Sequence, residues 1–136
     1  MSDETGANAG ETRPSLLTNE LRERLLANGR KRDTDHIPVI KFINPVGTGL
    51  WLASELDADG DTLFGVADLG EPELGLFSLA ELESLLLPLR SRIERDPHFV
   101  GHYPVSIYAE AARSTASLAE GIRLIGIIHA LRRGDE

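Results

Sequence analysis

A chain of 136 residues can bury one hydrophobic core, so a single domain is expected. Its lack of cysteine excludes disulfides and thiolate metal sites, and a formal charge of −8 argues against general affinity for nucleic acid. The distribution of charge says more than the sum. Between Lys41 and Arg90 there is no basic residue, yet that span carries nine acids: Glu55, Asp57, Asp59, Asp61, Asp68, Glu71, Glu73, Glu81 and Glu83. Arg30, Lys31 and Arg32 precede it and Arg90, Arg92 and Arg95 follow, which predicts an electrically two-sided molecule.

Residues 1–14 are small, polar and partly acidic, without an apolar run. They read as a disordered tail and not as a signal peptide. The first helix is expected after Thr18 as N-cap, with Leu17, Leu21 and Leu25 at helical spacing and Asn28-Gly29 as the C-terminal stop. A charged linker, Arg30 to Asp35, leads to a strand over Ile37–Ile43 with Pro38 near its start. Asn44-Pro45-Val46-Gly47 marks a turn, and Leu50–Leu56 the second strand, with Leu50, Leu52 and Leu56 expected opposite Trp51.

Asp59-Gly60 predicts a type I′ hairpin into a third strand, Leu63–Leu69. The Gly70-Glu71-Pro72-Glu73 turn leads to a fourth, Leu74–Phe77. Ser78 and Glu81 form a capping box, and Phe77 with Leu82 a hydrophobic staple, for a helix from Leu79 to about Leu87, where Pro88 stops it. Residues 88–104 read as an irregular connection with an extended piece around Ile93. Helical patterning returns at Val105 and again at Ser117, where Leu118, Ile122, Leu124, Ile125, Ile128 and Leu131 cover about half the helical circumference.

These elements predict an α+β fold: a four-stranded antiparallel meander sheet packed by two to four helices. The expected organisation is a core domain over 15–104 and a helical extension over 105–133. The expected core includes Leu21, Leu25, Ile40, Phe42, Leu52, Phe64, Val66, Leu76, Phe77, Leu82 and Leu85.

Along Glu73-Leu74-Gly75-Leu76-Phe77-Ser78-Leu79-Ala80-Glu81-Leu82-Glu83, and again at Ile93-Glu94-Arg95-Asp96, the chain resembles a family of small bacterial proteins catalogued only as a domain of unknown function. Leu16-Leu17-Thr18, Val39-Ile40-Lys41-Phe42, Gly60-Asp61, Asp96 and Phe99 share in the resemblance, which spans roughly residues 15–105. It implies an association with plasmids and integrative elements, often beside conjugation and anti-restriction genes. It brings no catalytic residues or cofactor to transfer, and it leaves the acidic tail and the helix after Val105 as additions.

Several clusters invite chemistry. Asp57, Asp59, Gly60 and Asp61 suggest a calcium loop, but whichever residue starts the count, the glycine and the twelfth-position acid do not both fall into place. A hairpin turn is the better reading. His98 and His102 have the spacing of two ligands on one helical face, yet Pro97, Gly101 and Pro104 oppose a helix there and no third ligand is indicated. Gly47-Thr48-Gly49 is followed by a strand, which disfavours a phosphate loop. Glu94, Arg95, Asp96 and His98 combine carboxylate, guanidinium and imidazole; they read either as a small hydrolase site or as a structural pin.

The reading carried forward is a cytoplasmic, non-enzymatic accessory protein without cofactor, metal or membrane span. An acidic surface built on Asp57, Asp59, Asp61, Glu71 and Glu73, with the Glu94–His98 cluster beside it, is expected to engage a basic protein partner. One alternative is a DNA mimic that occupies an anti-restriction target; another is the hydrolase. Residues 117–131 are the expected seam of a homodimer.

Overall fold

A computed structural model describes residues 15–134; the tail read over residues 1–14 lies outside the described residues. The fold is α+β. Helix α1 (Asn19–Gly29) precedes strands β1 (Ile40–Ile43), β2 (Leu50–Leu56), β3 (Thr62–Asp68) and β4 (Pro72–Ser78). Then come helix α2 (Leu79–Ser84), a 3₁₀ turn (Pro88–Arg90), strand β5 (Glu94–Arg95) and helices α3 (Val105–Thr115) and α4 (Leu118–Arg132). The sheet has five antiparallel strands in the order β4-β3-β2-β1-β5, where four were expected. The addition is β5, which folds back to pair Arg95 with Phe42 and Glu94 with Ile43. The sequence predicts an extended piece around Ile93, but two residues are too few to show the alternation of a paired strand.

Both faces of the sheet are covered. On one, Ile40, Phe42, Trp51, Ala53, Leu56 and Leu63 pack with Leu16, Leu17 and Leu25 from the N-terminal side and with Leu79, Leu82 and Ile93. On the other, Leu52 and Val66 meet Val105, Tyr108, Ala109 and Ala112 of α3 and Leu118 and Ile125 of α4. A β-bulge in β2 decides which residues go where. Ala53 pairs with Gly65 and Glu55 pairs with Phe64, so Ser54 is the extra residue and the alternation changes phase. Leu56 therefore lies on the Trp51 side and not, as strict alternation predicts, with Leu50 and Leu52.

Close approach explains two glycines. A Cβ on Gly65 would fall 1.8 Å from the Leu52 carbonyl oxygen, and one on Gly29 would fall 2.1 Å from that of Leu56. Gly29 is thus the point where α1 touches β2. It is the last helical residue, and the cap is Arg30 in right-handed geometry, where a glycine C-cap was expected. Asn28 completes the contact by donating from Nδ2 to the Ser54 carbonyl at 2.9 Å.

The expected N-caps form. Thr18, Ser78 and Ser117 each accept from the amide three residues on. The reciprocal half of the two capping boxes is replaced, since Asp61 serves α2 and Glu120 pairs with Arg123. Helix α2 stops at Ser84, shorter than expected, because Leu85 already adopts extended geometry. Leu85 is consequently exposed, as is Leu76 at 71%, and neither joins the core.

Candidate functional site

Six of the nine acids of the middle segment lie at the two turns that flank β3, with Glu55 in β2 and Glu81 and Glu83 in α2. The ends of a seven-residue strand lie about 20 Å apart. At the β2–β3 turn every carboxylate has a partner. Asp57 pairs with Arg32, an arginine folded over from the linker. Asp59 accepts from the amides of Asp61 and Thr62, both at 2.8 Å, and from the Thr62 hydroxyl at 2.6 Å. The Thr62 hydrogen bonds hold the Asp59 carboxyl below the usual carboxylate range. Asp61 accepts from the Ser78 hydroxyl at 2.9 Å and the Ala80 amide at 2.7 Å, which ties the turn to the start of α2. Only Gly60 has a positive φ here, so the turn is not type I′, which would require Asp59 to be left-handed as well.

At the β3–β4 turn the pattern reverses. Asp68 is bonded to the Gly70 amide and caps α4 through the Leu118 amide at 2.9 Å. Glu71 and Glu73 are exposed and make no side-chain hydrogen bond or ion pair among the described residues. Glu73 lies on β4, an outer strand of the sheet, and Glu71 in the turn that enters it. Leu69 in the same turn and Leu76 on β4 are 68% and 71% exposed.

Residues 94–98 do not converge on one point. Arg95 donates from Nη1 to the Leu16 carbonyl at 2.7 Å and so pins the N-terminal segment. Asp96 faces Lys41 at 3.4 Å and accepts from the His98 amide at 2.9 Å, and that bond lowers its pKa. Glu94 and the His98 ring are exposed. A pocket of about 330 Å³ adjoins Arg95, bounded by Ser15, Leu16, Glu83 and residues 92–94. Among the described residues no group of three or more His, Asp or Glu is placed to hold a metal ion.

Three features were not foreseen. His102 stacks on His129, ring centroids 3.8 Å apart, with burial and then the His129 charge depressing the His102 pKa. Twenty-seven positions separate the two, and no local signal links them. Leu89 and Arg90 both adopt positive φ in the 3₁₀ turn, a strained conformation that presents Leu89 to solvent. Glu55, counted in the sequence as one more surface acid, is only 8% exposed.

The model of the family described as "Protein of unknown function (DUF2958)" matches residues 16–119. The chain belongs to the DUF2958 family. No curated protein and no solved structure gives a significant match. The DUF2958 segment takes in both turns, the β4 edge and α3, and ends in the first turn of α4. Most of α4 therefore lies beyond it, including the exposed Leu124, Ile127, Ile128 and Leu131. No helix among the described residues is long and apolar enough to cross a membrane.

Proposed function

We propose that this DUF2958 protein is a non-enzymatic binding module that holds a basic protein partner against its β4 edge. The observation that carries this reading is the pair of exposed carboxylates, Glu71 at the entry to the outer strand β4 and Glu73 on it, which have no side-chain partner among the described residues. Uncovered strands offer backbone donors and acceptors to an incoming segment, while nearby charge selects its sign and speeds encounter. The exposed Leu69 and Leu76 add apolar area that a partner would remove from water. A phosphate-like array is less well supported, because Asp59, Asp61 and Asp68 direct their carboxylates to turns and caps.

Affinity capture with the wild-type chain and with Glu71→Lys/Glu73→Lys tests the reading. A captured protein that is released by salt and lost with the double variant supports it. Capture indifferent to both salt and charge reversal overturns it. The stripe Leu124, Ile127, Ile128 and Leu131 supports a separate proposal, a second copy docking through residues 117–131. Sedimentation that returns only monomer at high concentration removes that proposal.

A further inference from the structure

On the Leu52 and Val66 face of the sheet, toward the β2–β3 turn, lies a pocket of about 220 Å³ lined by Arg32, Glu55, Asp57, Thr62, Phe64 and Leu76. Its floor is a row across three strands, because Glu55 pairs with Phe64 and Phe64 with Leu76. The bulge at Ser54 creates that row. Without the extra residue, alternation would send Glu55 to the Trp51 side and Leu56 to the pocket side.

Glu55 is more than nine-tenths buried and has no hydrogen-bond or ion-pair partner among the described residues. A charge held this way is costly unless something else completes it. The other polar groups of the pocket are already engaged: Asp57 with Arg32, and the Thr62 hydroxyl with Asp59. Burial raises the Glu55 pKa, and the nearby charges of His36 and Arg32 oppose the rise without replacing a bond.

We propose that this pocket accepts one cationic side chain, Arg or Lys, of the basic partner, its stem lying over Phe64 and Leu76 and its charged head meeting Glu55. The inference rests on the edge-binding reading and names the partner chemistry it requires. Small-molecule sites generally occupy about 300–1,000 Å³, so this cavity suits a single side chain better than a free metabolite. The walls fit an amphipathic stem, since Phe64 and Leu76 are apolar, and a guanidinium can also stack on the Phe64 ring. Arg32 is the resident cation at the rim. It neutralises Asp57 in the free protein, and an incoming cation competes with its field.

The test is a titration of the full chain with N-acetyl-arginine amide, followed by NMR at the Glu55 side-chain carboxyl, the Phe64 ring and the Leu76 methyls. N-acetyl-citrulline amide, a neutral isostere, serves as the control. Saturable shifts at all three residues are expected, with a dissociation constant on the order of millimolar. The citrulline compound should give none. Glu55→Gln should weaken binding at least tenfold. It should leave the thermal midpoint at pH 7 unchanged or higher, since it removes a buried charge without a partner. Arg32→Ala should tighten binding. Shifts that are absent, equal for the citrulline compound, or unchanged in Glu55→Gln overturn the proposal, and the first two comparisons need only the wild-type chain. The pocket and the edge fail separately. Capture lost with Glu71→Lys/Glu73→Lys but retained with Glu55→Gln overturns the pocket alone, whereas a positive titration without charge-sensitive capture overturns the edge reading.

Discussion

The two turns on either side of β3 carry three acids each and use them in opposite ways. At the β2–β3 turn Asp57, Asp59 and Asp61 are all bonded within the protein. At the β3–β4 turn Asp68 is, whereas Glu71 and Glu73 are exposed and have no side-chain partner among the described residues. Side-chain length accounts for the local part of the difference, at Asp59 and in the Asp68–Gly70 bond, while Asp57, Asp61 and Asp68 also meet partners remote in sequence. An aspartate reaches amides one to three residues on and closes Asx-type turns and caps, whereas the extra methylene of glutamate carries its carboxylate past them. A count of acids therefore overstates the anionic surface, and the aspartates should be discounted first.

Substitutions can break that comparison, beginning where the largest effect is expected. Asp61→Ala should cost about 2 kcal/mol, as it removes the bonds to Ser78 and Ala80 that join turn and helix, measured by urea denaturation. Asp68→Ala should cost about 1 kcal/mol, with hydrogen-exchange protection lost first at the start of α4. Asp59 offers a pH test. Its folded pKa is depressed, so its contribution is present above the unfolded pKa, near 4, and is lost as pH falls through the folded value. Asp96 adds in the same direction. The acid-side fall in thermal midpoint below about pH 4 should be shallower in Asp59→Asn than in wild type. The smallest effect is expected for Glu71→Lys/Glu73→Lys, within about 0.5 kcal/mol of wild-type stability by the same denaturation assay. A large loss there would show that these glutamates too are structural.

Much of the fold is legible in the chain because its signals are local. Strand β2 emerges over the expected residues, and the N-caps Thr18, Ser78 and Ser117 form as spacing predicts. The misses involve contacts between residues remote in sequence. β5 becomes a strand only because β1 is there to pair with it. Gly29 looks like a helix stop until Leu56 is seen against it. The candidate site was read less well. Residues 94–98 resemble a catalytic cluster when adjacent in print, but on the backbone Arg95 serves Leu16 while Asp96 serves Lys41. Glu55 gave no sign of its burial, because a bulge depends on the partner strand.

The sequence by itself determined the fold class, the caps and turns, and the lack of any basic residue across the middle of the chain, since propensity and capping act over three or four residues. Only the tertiary structure decided which of those acids remain free and which one is buried. That depends on strand register, where one extra residue at Ser54 exchanges the sides of Glu55 and Leu56.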